Sequence, residues 1–227
     1  MKRSGWYGTI ALLVTILLAK YLPAGWITWV ATAISAGVTF LLSLPVLMIP
    51  LGSLFFKFRD RDWLFEKLPL TGSEKVLDVG CGHGLLLIAA AKKLTSGIAY
   101  GLDLWAQATQ ANNSKEATLK NARIAGLESK IEIHTGDMRA IPFADSSFDA
   151  IVSSWAIHNI DDKNEREKAL SDILRVLKPG GRIAILDIYH APSYRAFFVT
   201  HNLKNVQLLG PHFTFGKRTY LVLATKP

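Results

Sequence analysis

The sequence predicts an α/β domain built on a parallel sheet and preceded by an apolar helical segment, and three observations carry that prediction. Lys75-Val76-Leu77-Asp78-Val79 breaks at once into Gly80-Cys81-Gly82-His83-Gly84 and then into the apolar helix formers of residues 85–91: a strand, a glycine turn and a helix. Similar β-branched runs recur at residues 98–103, 130–134, 148–154 and 182–189, with helical stretches between them, which is the spacing of βαβ units. Residues 1–56, by contrast, contain no Asp or Glu and only Lys2, Arg3 and Lys20 as basic residues.

Within that N-terminal segment, residues 6–22 form an apolar run of about seventeen residues, near the minimum for a spanning helix. Lys20 and Tyr21 end it, where a lysine can snorkel and an aromatic ring can lie at a lipid interface. Pro23-Ala24-Gly25 makes a tight turn, and residues 26–56 form a second run long enough to span, with Pro45 and Pro50 expected to kink it or end the helix near residues 44–48. The expectation is a membrane-anchoring hairpin over residues 1–56, two transmembrane helices in a lipid bilayer. Lys2 and Arg3 precede the first span and Lys57, Arg59, Arg61 and Lys67 follow the second, which places the N-terminus and the following domain in the cytoplasm. A cleaved signal peptide fits less well, since no small-x-small site follows the first run and a second run comes almost immediately. A re-entrant or in-plane second helix stays open. Residues 57–70 place Trp63, Leu64, Phe65 and Leu68 at helical spacing, an amphipathic connecting helix that either forms part of a substrate entrance or covers the sheet edge.

Composition narrows the partners of residues 71–227. The chain is +8 overall, and beyond residue 56 its 23 basic and 18 acidic side chains leave only +5, without the clustered Arg, Lys and aromatic residues of a nucleic-acid surface. The one cysteine, Cys81, excludes an internal disulfide framework and fits a reducing compartment. Six histidines show no metal-ligand spacing: His83 varies the glycine turn, His134 ends a strand, and His201 and His212 fall late.

The glycine turn lets the backbone approach a ligand, and the helix after it offers free N–H groups. Its third glycine, Gly84, arrives one residue early for the dinucleotide pattern G-x-G-x-x-G, where Leu85 stands instead, so a pyrophosphate is disfavoured. Asp103, ending the second strand, can accept both hydroxyls of a ribose. A loop of about nine residues over 104–112 follows, and loops at the carboxyl end of a parallel sheet contribute to sites. Trp105 in that loop serves as a hydrophobic peg or packs on a ligand. The next helix is expected to start at Asn113, with Glu116 completing a capping box, and this also accounts for the sequon Asn112-Asn113-Ser114 without sugar.

The third strand, residues 130–134, leads to Gly136-Asp137-Met138. The fourth, residues 148–154, leads to Ser154-Trp155-Ala156-Ile157-His158-Asn159, where His158 is a candidate general base and Asn159 a candidate for orienting a substrate oxygen. A charged amphipathic helix over residues 161–177 stops at Lys178-Pro179-Gly180-Gly181. Asp187, Tyr189 and His190 fall at the carboxyl end of the fifth strand, His190 as a second possible base. A last helix over residues 192–204 and a hairpin-like pair at 205–210 and 218–225 close the chain.

Taken in order, VLDVGCGHG, GLDLW, HTGDMRAIPFADSSFDAIVSS and LKPGGRIAILDIY resemble the class I S-adenosylmethionine-dependent methyltransferases over residues 63–227, closest in texture to the quinone-biosynthesis-like group labelled type 11. The resemblance implies a Rossmann-like seven-stranded sheet whose last strand runs antiparallel between the fifth and sixth. It implies S-adenosyl-L-methionine as cofactor and S-adenosyl-L-homocysteine as product, bound by Asp78, Gly80, Cys81, Gly82, Gly84, Asp103, Leu104, Gly136, Asp137, Met138 and Ser154. In it Asp78 lies near the methionyl amino group or braces the glycine loop, Asp137 meets the adenine amine and Met138 packs on the ring. Trp155 and His190 are the substrate candidates, and no metal is implied. The functional expectation is a membrane-anchored methyltransferase that acts in line on an amphipathic or lipid-phase small molecule. Two alternatives stand beside it: an anchored enzyme of a soluble small molecule or protein side chain, and a cofactor-binding membrane scaffold without turnover.

Overall fold

The computed structural model describes residues 25–106, 112–214 and 216–227, together with residues 10, 13, 14, 16, 17 and 20. The chain divides into two compact units, Met1–Lys57 and Phe58–Pro227.

Helix α1, Trp26–Lys67, is 42 residues long and runs from the first unit into the second. The break expected near residues 44–48 does not occur, and no separate connecting helix exists. A proline removes one N–H from the ladder, and here the backbone bonds on either side carry the helix through positions 45 and 50. Among the described residues no helix is long and apolar enough to cross a membrane. The two-span hairpin is therefore not supported: the first run and the Pro23-Ala24 turn fall largely outside the described residues, and the second run continues into the charged residues 57–67 instead of ending at a membrane boundary. The apolar character of the segment remains. Trp29 is 72% exposed, and Ile34, Phe40 and Leu41 are also open to solvent. Thr32 and Thr39 turn their hydroxyls back onto the carbonyls of Thr28 and Ser35, at 2.8 Å each, so those polar groups are satisfied within the helix.

In the second unit, β1 Lys75–Val79, β2 Ile98–Asp103, β3 Ile131–Thr135, β4 Phe148–Ser154, β5 Leu177–Asp187, β6 Lys204–Thr214 and β7 Lys217–Thr225 form one sheet in the order β3-β2-β1-β4-β5-β7-β6. The first five are parallel, and β7 runs antiparallel between β5 and β6 as expected. Strand order reverses between β1 and β4, and the crevice beyond that switch point is where such sheets bind ligands. Helices α2 Leu85–Lys93, α3 Lys115–Ile124, α4 Lys163–Val176 and α5 Ala191–Thr200 connect the strands. Successive strand residues point to opposite faces, so Val76, Ala150, Val152 and Ala184 pack with Leu86 and Leu87 of α2, while Leu77, Ile151, Ile183 and Ile185 pack with Leu170, Ile173 and Phe198 of α4 and α5.

The edges of several elements differ from expectation, each for a local reason. β5 begins at Leu177 because Leu177 pairs with Phe148 and because Gly180 and Gly181 exchange backbone bonds with Lys226 at 2.9 Å. α3 is capped by Ser114, whose side chain accepts from the Ala117 N–H at 3.1 Å; Asn113 is buried and occupied elsewhere.

The last turns of α1 belong to the domain core. Leu64, Phe65 and Leu68 are buried against Val76, Leu86 and Leu94, so this stretch covers the sheet. The buried carboxylate of Asp60 takes the Thr214 hydroxyl and the Arg59 guanidinium, and Trp63 stacks on His212 at 3.8 Å between ring centres, which clasps the helix to the β6–β7 hairpin. Leu64→Ala should therefore lower unfolding free energy by about 3 kcal/mol, whereas Trp29→Ala, on an exposed face, should change it by less than about 0.5 kcal/mol. Urea denaturation of the full chain followed at the domain transition checks both.

Candidate active site

The glycine turn lies beyond the carboxyl end of β1. Gly80, Gly82 and Gly84 all have positive φ, at 73°, 49° and 86°. At Gly80 space as well as conformation excludes a side chain, because a Cβ there would stand 2.3 Å from the Cβ of Ala156. The backbone of β1 thus approaches the loop after β4 with nothing between them. The turn is fastened from three sides. Gly80 and Cys81 donate to the Leu102 carbonyl at 2.8 and 3.1 Å, Gly82 donates to Asp103 Oδ2 at 2.8 Å, and the buried Thr118 hydroxyl of α3 donates to the Gly82 carbonyl at 2.5 Å. Cys81 is buried over the Gly101 backbone, and burial raises its thiol pKa, so it is a packing residue.

Asp78 is buried and accepts from the Leu87 N–H at 2.9 Å, bracing the first turn of α2. Burial, with the Asp103 charge as a smaller contribution, raises its pKa to about 8. In the unfolded chain the same carboxyl ionises near 3.8. Between those values the folded chain holds a proton that the unfolded chain has released, so this group makes stability fall as pH rises from about 4 to about 8 and level off above. Asp78→Asn should flatten the slope of stability against pH over that range in the cofactor-free chain, read by denaturant midpoints at several pH values.

Asp103 ends β2 and also shapes the loop that follows. Its Oδ1 accepts from the Trp105 N–H at 2.7 Å and from Asn113 Nδ2 at 3.1 Å. Trp105 takes the peg role: its indole N–H donates to Thr135 at 2.8 Å and its ring packs on the core, while Leu104 is exposed beside it. After β3, the Asp137 carboxylate accepts from the Arg139 backbone N–H at 2.8 Å and from its guanidinium, Nη2···Oδ2 being 2.5 Å, and Arg139 continues to Glu165 at 2.9 Å. The guanidinium holds Asp137 below the usual carboxylate range. Arg139 Nε also donates to both Asp137 oxygens, at 3.0 and 2.9 Å, so each oxygen already accepts twice from this one residue. Met138 packs into the core on the α4 side, its methyl 3.5 Å from where a Gly80 side chain would begin, and Gly136 lies against Leu102 and Pro142.

At the ends of β4 and β5 the structure assembles a second group. Ser153 donates to the Val79 carbonyl at 2.8 Å, tying β4 to β1, and the half-buried Ser154 ends the strand in register with Leu186. His158 lies in a short 3-10 turn, Ile157–Asn159, with its Nδ1 hydrogen-bonded to Asp187 Oδ1. Asp187 is fully buried and also accepts from the Ile188 N–H at 2.8 Å and the Tyr194 hydroxyl at 3.2 Å. An imidazole held this way at Nδ1 keeps Nε2 for a proton from another molecule. Asn159 instead caps its own turn, donating to the Ala156 carbonyl at 3.1 Å. His190 caps α5 through its backbone carbonyl, and burial, then the Arg166 charge, lowers its pKa. Trp105, Trp155 and His190, immediately or almost immediately after β2, β4 and β5, all adopt left-handed backbone with φ between 53° and 60°, at a cost of about 1–2 kcal/mol each. Strain of this kind gathers where chain ends are bent around a site.

The residues singled out in sequence are thus brought to one edge of the sheet: Asp78 and the glycine turn, Asp103, Gly136 to Met138, and Ser154 to His158. Asn159 and Leu104 are present, but Asn159 is engaged with its own backbone. Sequence reading missed Arg139 and Thr118, took Asn113 for a helix cap, and left Asp187 without its partner. The signal for Arg139 was there, as an acid two residues from an arginine in a turn. Among the described residues no cluster of metal-ligating side chains occurs. A backbone cradle that a single Cβ would fill, with the Asp103 carboxylate at the end of the neighbouring strand, fits S-adenosylmethionine.

Comparison with known proteins agrees. Residues 77–185 match the Methyltransferase domain family. The chain is 31% identical over 169 residues to the ubiquinone/menaquinone biosynthesis C-methyltransferase UbiE of Geobacter sp. (strain M21), covering 71% of this chain and 68% of that one. It is 36% identical over 130 residues to the methyltransferase GfsG of Streptomyces halstedii, covering 57% and 43%. The chain spans about half the length of several of the curated relatives it matches. A SAM-dependent methyltransferase from Aquifex aeolicus superposes with a TM-score of 0.58 at 19% identity, covering 74% of this chain and 90% of that one, which speaks for the fold. With the glycine turn, the two carboxylates and the sheet order already in place, this chain belongs to the class I S-adenosylmethionine-dependent methyltransferases, type 11.

Proposed function

We propose that the protein transfers the methyl group of S-adenosylmethionine to an amphipathic or lipid-phase small molecule, with His158 as the proton acceptor. The observation that carries this reading is the pairing of His158 with the buried Asp187 on the loop whose Ala156 touches Gly80. Asp78, the glycine turn, Asp103 and Asp137 hold the cofactor, which when bound supplies a methyl group already activated on a sulfonium. The protein's own part is positioning, which alone can account for several powers of ten in rate, and removal of a proton at His158 Nε2. Asp187 fixes the imidazole through Nδ1 and balances the charge it gains.

Two observations support the substrate class. Relatives named for ubiquinone, menaquinone and demethylmenaquinone methylation match the chain. The first unit also presents exposed Trp29, Ile34, Phe40 and Leu41, and residues 1–56 lack any acid. An apolar helical face of this kind, followed by Lys57, Arg59 and Arg61, suits an in-plane association with an anionic lipid surface on the cytoplasmic side.

Labelled methyl from S-adenosylmethionine, followed in native membranes and partitioned among organic extract, aqueous phase and protein, is expected in the organic extract and absent with Asp103→Ala. Label in the aqueous or protein fraction would move the substrate to those classes. Bound cofactor without transfer to any fraction would favour a scaffold.

A further inference from the structure

We propose that the acceptor carries an acidic group, a carboxylate or a phosphate monoester, and that Lys217 receives it from the tip of the β6–β7 hairpin. This rests on the reading of the β4 and β5 ends as the acceptor side of a methyltransferase site, and it names the acceptor's charge.

Tyr189 lies two residues beyond Asp187 and is 46% exposed, with its ring edge-on to His158 at 5.6 Å between centres. Lys217, the first residue of β7, donates to the Tyr189 hydroxyl and holds its ammonium 4.9 Å from the centre of the same ring. A lysine on an open surface keeps its head in water; this one is held at the hydroxyl of a tyrosine 28 residues away in sequence, near the plane of the ring. Tyr189 therefore stands between His158 on one side and a fixed positive charge on the other.

That charge is not answered by the protein. Among the described residues no carboxylate lies within ion-pair distance of Lys217, and residues 107–111 and 215 contain no Asp or Glu. Arg139 is held by Asp137 and Glu165, and Arg166 by the carbonyls of Ile160 and Asp161 at 2.7 Å. Asp187 is fully committed to His158, Ile188 and Tyr194. The rim beside the base thus carries Lys217 with no acid to neutralise it, an arrangement that favours a negative group on the incoming molecule. Lysine suits the role because it presents a compact, rotatable charge that can leave the tyrosine hydroxyl for a stronger acceptor.

The test uses the full chain with S-adenosylhomocysteine bound, and two matched pairs of probes: 4-octylbenzoate against its methyl ester, and octyl phosphate against octanol. Equilibrium titration is expected to show at least one acid bound about tenfold tighter than its neutral partner, the size expected of a partly exposed charge-assisted contact. Which pair shows it distinguishes carboxylate from phosphate. In Lys217→Met the ratio should fall to about one, and in Lys217→Arg most of it should remain. Equal binding of acid and neutral probe in both pairs, or a preference that survives Lys217→Met, overturns the proposal. Binding of S-adenosylhomocysteine is measured in the same samples, so loss of the methyltransferase reading would appear there, separately from loss of the acid preference.

Discussion

Gly80→Ala is expected to abolish cofactor binding, lowering affinity for S-adenosylhomocysteine by at least about a hundredfold, with Gly82→Ala producing a smaller loss. The added carbon at position 80 would meet the Ala156 side chain at 2.3 Å, a distance that real contacts do not allow, and φ of 73° would strain any residue with a Cβ there. Relief requires the β4 loop to move away from the turn, and that movement separates His158 from the place where the cofactor's methyl group would be presented. At Gly82 the conformational strain stays, since φ is 49°, and its N–H must still reach Asp103. Isothermal titration of both variants gives the comparison directly. Thermal unfolding in the absence of ligand separates a lost site from a lost fold, and a double variant Gly80→Ala with Ala156→Gly, which removes the colliding carbon, should recover part of the binding.

Why that turn was visible in sequence while other parts were not follows from how each is encoded. The turn, β1, β2 and β4 are local: each strand is a short run of β-favouring and apolar residues and occurs at the bounds those residues predict, and β1 breaks at Gly80, where only glycine fits. The antiparallel place of β7 came with the family resemblance, since no local pattern states which strand a hairpin joins. The continuation of α1 through two prolines was not legible, because a proline lowers the local preference for helix without deciding whether the flanking turns persist. Apolar composition in residues 26–56 likewise states that water is disfavoured around them and leaves open what replaces it. In the site, pairwise links between distant elements were hidden. Asn113 was read as a helix cap from its neighbours, yet its amide belongs to Asp103, ten residues earlier, and Ser114 does the capping. His158 was visible as a residue type after β4; its partner Asp187 lies 29 residues on, at the end of a different strand, and only the parallel register of β4 and β5 brings them together.

That pairing sets the second large effect. His158→Ala should lower kcat by about a hundred- to ten-thousandfold, the range for losing a general base, while leaving S-adenosylhomocysteine affinity within about twofold. Asp187→Asn tests a different claim, that the buried carboxylate acts through the imidazole as a positioning residue. The amide keeps the size of the side chain but has only one oxygen to accept with, and its NH2 group cannot accept from the Ile188 N–H, the Tyr194 hydroxyl or an Nδ1–H. A drop in kcat is therefore expected together with a loss of stability of about 1–3 kcal/mol from groups left unpaired in the interior. Stability loss alone would also follow if Asp187 were purely structural, so the deciding measurement is the imidazole itself. Nitrogen-15 spectra of the folded proteins should show His158 with its proton on Nδ1 in the native chain and shifted toward Nε2 in Asp187→Asn. An unchanged tautomer, or a fall in activity that vanishes once the folded fraction is corrected for, would remove Asp187 from the chemistry and leave it as a buried hub for Tyr194 and the start of α5.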